Sequence, residues 1–259
     1  MKTLPRAAVT VLAAALVAAP LASCSSKSSN YSGNNKFTIK VGTIDDYPPA
    51  DFALNGKLTG YEQELLAAAA KVGNFTVTYQ TMSFGALLTG IQSKHLDAAM
   101  AGMDITPERQ KAVNFTAPTF NDHLVLGVPV NSRITSLADL KGKRIAGTVG
   151  SVTYTQAQAL AKKYGGTATG FQSTTADYQD VQSGHSQALV MNRISMIYMI
   201  KQGKMKLRIV GGNLTTTPAA IAVAKGKPQL IQRLNAALKE LNENGTVKKL
   251  QIKWFGEVQ

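Results

Sequence analysis

From residue 36 onward, short runs in which apolar residues alternate are interleaved with runs in which they recur every three or four positions. This switching between period two and period 3.6 constrains the fold most. It calls for strands and helices in turn, and so for an α/β chain with mostly parallel sheets. Phe37, Ile39 and Val41 predict a strand over 37–43. Leu65, Leu66, Ala69 and Val72 predict a helix over 61–72, ended by Gly73-Asn74. Further strands are expected over 75–80, 124–130, 144–149, 188–191 and 207–210, and helices over 84–93, 153–164, 175–183 and 193–202. Pro228 opens a long helix at a position where its missing N–H costs nothing, and Asn244-Gly245 closes it. Thr246 is expected to cap a last helix carrying Val247, Leu250 and Trp254.

Ahead of this pattern, Lys2 and Arg6 introduce an apolar run from Ala7 to Ala19. The run is too short to cross a hydrocarbon core of roughly 30 Å and reads as a secretory signal peptide. The Leu21-Ala22-Ser23-Cys24 stretch that follows resembles a bacterial lipobox, in which the peptide is cut before the cysteine and the thiol carries lipid. Cys24 is the only cysteine, and Ser25 to Asn35 is polar and rich in Ser, Gly and Asn, as suits a flexible tether. Each buried CH₂ of an acyl chain contributes about 0.8 kcal/mol, so several chains anchor stably. Residues 1–23 are thus expected to be removed, 24–35 to form the tether, and the mature protein to sit on the extracytoplasmic face of the bacterial membrane, anchored at Cys24.

The single cysteine leaves no disulfide framework and no thiolate zinc site. His95, His123 and His185 lie far apart, so neither metal nor cofactor is expected. The net charge is +13, but the 28 Lys and Arg are scattered, without a block of five and without interleaved aromatics. That describes a basic surface near anionic envelope polymers or lipids rather than a nucleic-acid-binding protein. Walker A, GxSxG and GxGxxG patterns are lacking, which points away from catalysis.

Three stretches then carry a family likeness. Gly60-Tyr61-Glu62-Gln63-Glu64-Leu65 is the first. Leu96-Asp97-Ala98, Gly102-Met103-Asp104-Ile105-Thr106-Pro107-Glu108-Arg109 and Phe115-Thr116-Ala117-Pro118 form the second and most specific. Asn244-Gly245-Thr246 with Lys253-Trp254-Phe255 is the third. Over about residues 37–256 the chain resembles the family 3 extracytoplasmic solute-binding proteins, the polar amino-acid receptors of ABC importers.

The resemblance implies two α/β lobes joined by two crossing segments, with 36–123 plus 218–259 as lobe one and 124–217 as lobe two. It also implies a monomer that hands an amino-acid-like ligand to ABC permease subunits. Arg109 stands where the family binds the ligand carboxylate, with backbone N–H groups of Gly102, Met103 and Asp104 as added donors. Asp104 either holds Arg109 or meets a cationic ligand. Tyr47 and Phe84 fit as stacking walls, and Asp45 and Asp46 lie in the loop that selects the side chain. In lobe two the likeness weakens: Asn192 replaces the carboxylate that receives the ammonium, and Gly150-Ser151-Val152 replaces the usual Gly-Thr-Thr, leaving Ser151 as a ligand group. An adhesin on the same fold is the alternative. A dehydratase is a weaker one, because Ser151, Val152 and Asn192 include no general acid.

Overall fold

The computed structural model describes residues 37–256. The expected signal peptide, the tether and Cys24 lie outside them. The chain runs β1 (Phe37–Thr43), the small strands β2 (Asp46–Tyr47), β3 (Asp51–Leu54) and β4 (Lys57–Thr59), α1 (Tyr61–Val72), β5 (Phe75–Thr81), α2 (Phe84–Gln92), β6 (Ala98–Ala99), α3 (Pro107–Ala112) and β7 (Val113–Phe115). β8 (Phe120–Pro129) leads through a 3₁₀ turn at Leu137–Leu140 to β9 (Arg144–Thr148), α4 (Val152–Tyr164), β10 (Thr167–Phe171), α5 (Thr174–Gln182), β11 (Ala188–Asn192), α6 (Arg193–Lys201) and β12 (Leu207–Ala219). β13 (Ala222–Ala224), α7 (Pro228–Glu243) and α8 (Thr246–Phe255) complete it.

Two five-stranded sheets result, ordered β5-β1-β6-β13-β7 and β10-β9-β11-β8-β12, each the centre of one lobe. The expectation of mostly parallel sheets is corrected. β1 is parallel to β5 and β6, and β9 to β10 and β11, but β13 and β8 are each antiparallel to both neighbours. The reason is the route of the chain: β8 carries it from the first lobe to the second and β12 carries it back, so the two enter the second sheet as an antiparallel pair. Their pairing extends from Leu207 opposite Pro129 to Ala219 opposite Phe120. Gly211-Gly212, which reads as the end of a strand, is instead a bulge at positive φ, after which pairing resumes.

Apolar spacing explains the packing. α7 buries Leu230, Leu234, Ala237, Leu238 and Leu241 on one face, against the core that holds Val41, Leu65 and Leu87 of the first sheet and its helices. The second sheet is apolar on both faces, with Leu124, Leu126 and Ile145 on one side and Val125, Leu189 and Met191 on the other. At the start of α8, Gly245 at φ 77° is the cap, and Thr246 is already helical.

Candidate functional site

A cavity of about 370 Å³ lies where the two lobes meet, a volume in the range of small-molecule sites. Its walls come from the C-terminal ends of parallel strands: the segment after β1 with Asp45, Asp46 and Tyr47, the segment after β6 with Gly102 and Asp104, Thr148 at the end of β9 with Ser151 beyond it, and Asn192 at the end of β11. This is where open α/β sheets place ligands, since the helix N-termini that follow the strands converge there.

Several contacts join the lobes beside the cavity. Asp46 Oδ2 accepts a hydrogen bond from Thr174 N at 2.8 Å. Arg109 Nη2 donates to Gly150 O at 3.3 Å. Gly150, at φ 79°, comes so close to Gly85 that a Cβ on it would lie 2.9 Å from Gly85 Cα, so only glycine permits this approach.

Arg109 is buried and does not itself line the cavity. Its guanidinium lies 5.1 Å from the centroid of the Phe84 ring, donates to Asp104 O at 2.9 Å and stands 3.7 Å from Asp104 Oδ2. Asp104, also buried, accepts a hydrogen bond from the Thr217 hydroxyl. Burial raises its pKa, while the Thr217 bond and the Arg109 charge pull the other way. Phe84, at the start of α2, and Asp45, at the exposed rim, both line the cavity. Tyr47 lines it too, with its ring packed on Gly102 and its hydroxyl donated to Asp122 Oδ2 at 2.9 Å.

Three expected ligand donors are corrected. The Gly102 N–H is given to Glu62 Oε2 at 2.8 Å, because a fully buried carboxyl must find a donor. Met103 is fully buried in the core of the first lobe and does not line the cavity. Ser151 lines it, but its N–H and its hydroxyl both donate to Thr148 O, and its Oγ accepts from Thr153 N as the cap of α4.

Two acids were missed. Asp122, on β8, is 1% exposed and accepts hydrogen bonds from Tyr47 and from the Asn192 amide. Burial, and then the charge of Asp104, push its pKa up to about 8. The signal was present: Phe120, Asp122 and Leu124 share the inward face of an alternating strand. Asp177, on α5, lines the cavity, so lobe two does supply an acid there. It shares the buried face of its helix with Val181, four residues on. Burial pushes its pKa up to about 7, against the pull of a 2.5 Å hydrogen bond from the Thr148 hydroxyl.

The model of the bacterial extracellular solute-binding proteins, family 3, matches residues 39–257. The arginine-binding extracellular protein ArtP of Bacillus subtilis (strain 168) is 31% identical over 246 residues, 95% of this chain and 96% of that protein. The L-cystine-binding protein TcyJ of Escherichia coli (strain K12) is 26% identical over 226 residues, 85% of this chain and 83% of that protein. Among solved structures, an ancestral arginine-binding protein bound to arginine superposes with a TM-score of 0.79 at 34% identity, covering 85% of this chain and 99% of that one.

Proposed function

The chain belongs to family 3 of the bacterial extracellular solute-binding proteins, and on that basis we propose that its cavity captures an α-amino acid between two lobes for delivery to the permease of an ABC importer. The observation that carries this reading is the placement of opposite charges side by side. Arg109 and Asp104 stand 3.7 Å apart, next to the N-terminus of α4, which reaches the cavity through Ser151 and Val152. A zwitterion presents the complementary pair. Its carboxylate takes the positive end of α4 and the guanidinium of Arg109, which packs against Phe84 and Asp104 of the cavity wall and becomes available when its hydrogen bond to Gly150 O opens. Its ammonium takes Asp104 and the amide oxygen of Asn192, whose nitrogen is already committed to Asp122.

Several finer points belong to the same proposal. Lobe one is 36–123 plus 218–259 and lobe two is 124–217, which puts the boundaries in β8 and β12. Closure is a hinge motion of those two strands. The protein acts as a monomer, tethered through residues 24–35 and held on the outer face of the membrane by lipid on Cys24. The work is binding rather than catalysis: the relatives named above are binding proteins. They are named for arginine and for L-cystine, two amino acids whose far ends differ in charge. The reading is tested by a thermal-shift screen of the mature protein against L-amino acids. A ligand at 100 times its dissociation constant adds about 2.7 kcal/mol, so one or more should raise the melting temperature plainly. A screen with no hit among α-amino acids removes the proposal.

A further inference from the structure

The end of the cavity between the β1–β2 segment and the start of α5 is acidic on both sides. Asp46 approaches from the first lobe and Asp177 from the second, and both line the cavity. Each has one oxygen committed. Asp46 Oδ2 accepts from Thr174 N, and Asp177 Oδ2 accepts from the Thr148 hydroxyl. The second oxygen of Asp177 differs. Asp177 is 1% exposed, and its Oδ1 is buried with no hydrogen-bond partner among the described residues. A buried carboxyl oxygen is normally satisfied, so a bare one on a residue that lines a cavity asks what satisfies it.

Local structure does not account for it. α5 is capped by Ser173, whose hydroxyl accepts from Ala176 N, so Asp177 is not needed at the helix start. Among the described residues, no three His, Cys, Asp or Glu assemble as a metal site. Nor does the protein supply a cation: in a chain of net charge +13, no lysine, arginine or histidine lines this cavity among the described residues. The charge of Asp46 also disfavours ionisation of Asp177, an effect that a positive charge placed beside Asp177 opposes. The acids are therefore arranged for a cation that comes from outside.

We propose that Asp177 is a specificity-determining residue that receives a positively charged side-chain terminus, guanidinium or ammonium, with Asp46 opposite it, so that the amino acid captured is a basic one. This inference rests on the amino-acid reading of the cavity given above. It separates the candidates by chemistry. Arginine and lysine bring a cation to this end, whereas cystine also brings a second carboxylate, which the two aspartates repel.

The probe pair is L-arginine and L-citrulline, nearly equal in shape and differing in charge, titrated calorimetrically into the mature protein and into Asp177→Asn. The unaltered protein should bind arginine at least about 30-fold more tightly than citrulline, the scale expected for a buried charge pair. In D177N that ratio should collapse to within about fivefold, with citrulline affinity changed less than about threefold. Equal affinities for the two ligands in the unaltered protein would overturn the inference while leaving the amino-acid reading standing. So would an arginine preference that survives D177N. Binding of neither these nor any other α-amino acid would remove the underlying reading as well. The comparison on the unaltered protein decides the ligand class even if D177N does not fold, and Asp46→Asn, on the other lobe, then serves as the second variant, expected to narrow the same ratio.

Discussion

The Asn192 amide nitrogen donates a hydrogen bond to the buried carboxyl of Asp122. Position 192 lies at the cavity wall and Asp122 behind it, on the strand that crosses between the lobes. The family resemblance led one to expect an acid at 192; the structure instead has an amide there, bonded to a buried carboxyl. The amide presents its oxygen to the cavity and spends its nitrogen on Asp122. A carboxylate at 192 would instead face a carboxyl at hydrogen-bond range, with Asp104 adding a like charge to Asp122.

It follows that Asn192→Asp destabilises the protein. The lost hydrogen bond leaves a buried acceptor short of a donor, a cost of about 1–3 kcal/mol. Repulsion adds to it once the acids ionise. The melting temperature should fall, and should fall further at pH 8.5 than at pH 5. An unchanged or raised melting temperature at pH 8.5 would show that Asp122 and Asn192 are not coupled as described.

Buried acids, Asp122 and Asp177 among them, also shape the pH dependence of the parent protein. Burial raises Asp122 to about 8 and Asp177 to about 7, whereas both return to about 3.9 in the unfolded chain. Between those limits the folded state holds more protons than the unfolded state, so stability falls as pH rises. The contribution is fully present below about pH 4 and is lost as pH passes through about 7 to 8. Without added ligand, chemical denaturation should give a protein more stable at pH 5 than at pH 8.5, by on the order of a few kcal/mol. A cationic ligand favours the ionised acids, so the preference for low pH should shrink when a basic amino acid is bound. Stability that rises between pH 5 and 8.5 without ligand would contradict these assignments.

How much of this was legible in the sequence divides by physical cause. Phe37, Ile39 and Val41 or Leu230, Leu234 and Leu241 announce a strand and a helix because one face of each is buried and the repeat is local. β6 and β13 are two and three residues long, too short for any repeat to register. Strand direction was misjudged because periodicity is the same for parallel and antiparallel pairing, and only the route through β8 and β12 decides it. In the site, Arg109 and Asp104 stood out by their motif. Asp177 did not, because an acid in the first turns of a helix is ordinarily a solvated residue, and its burial is a property of the assembled cleft. Asp122 was readable in principle, as an acid on the inward register of an apolar strand.

The proposed anchor gives a prediction independent of the cavity. Cys24→Ala should release the protein from membranes or block its processing, since no helix among the described residues is long and apolar enough to cross a membrane. Fractionation of cells expressing the variant checks this. A protein that is matured normally and still sediments with membranes would contradict lipid attachment at Cys24.

The central claim is that the cavity holds an α-amino acid through the neighbouring charges of Arg109 and Asp104. Calorimetric titration of residues 24–259 with L-arginine, alongside Arg109→Ala, tests it most directly. Removing one member of a buried charged contact costs about 2–5 kcal/mol. The predicted result is saturable one-to-one binding to the parent protein, weakened at least about 30-fold in a variant that keeps its circular dichroism spectrum. Affinity unchanged in Arg109→Ala would contradict the account, because the ligand carboxylate would then be held elsewhere.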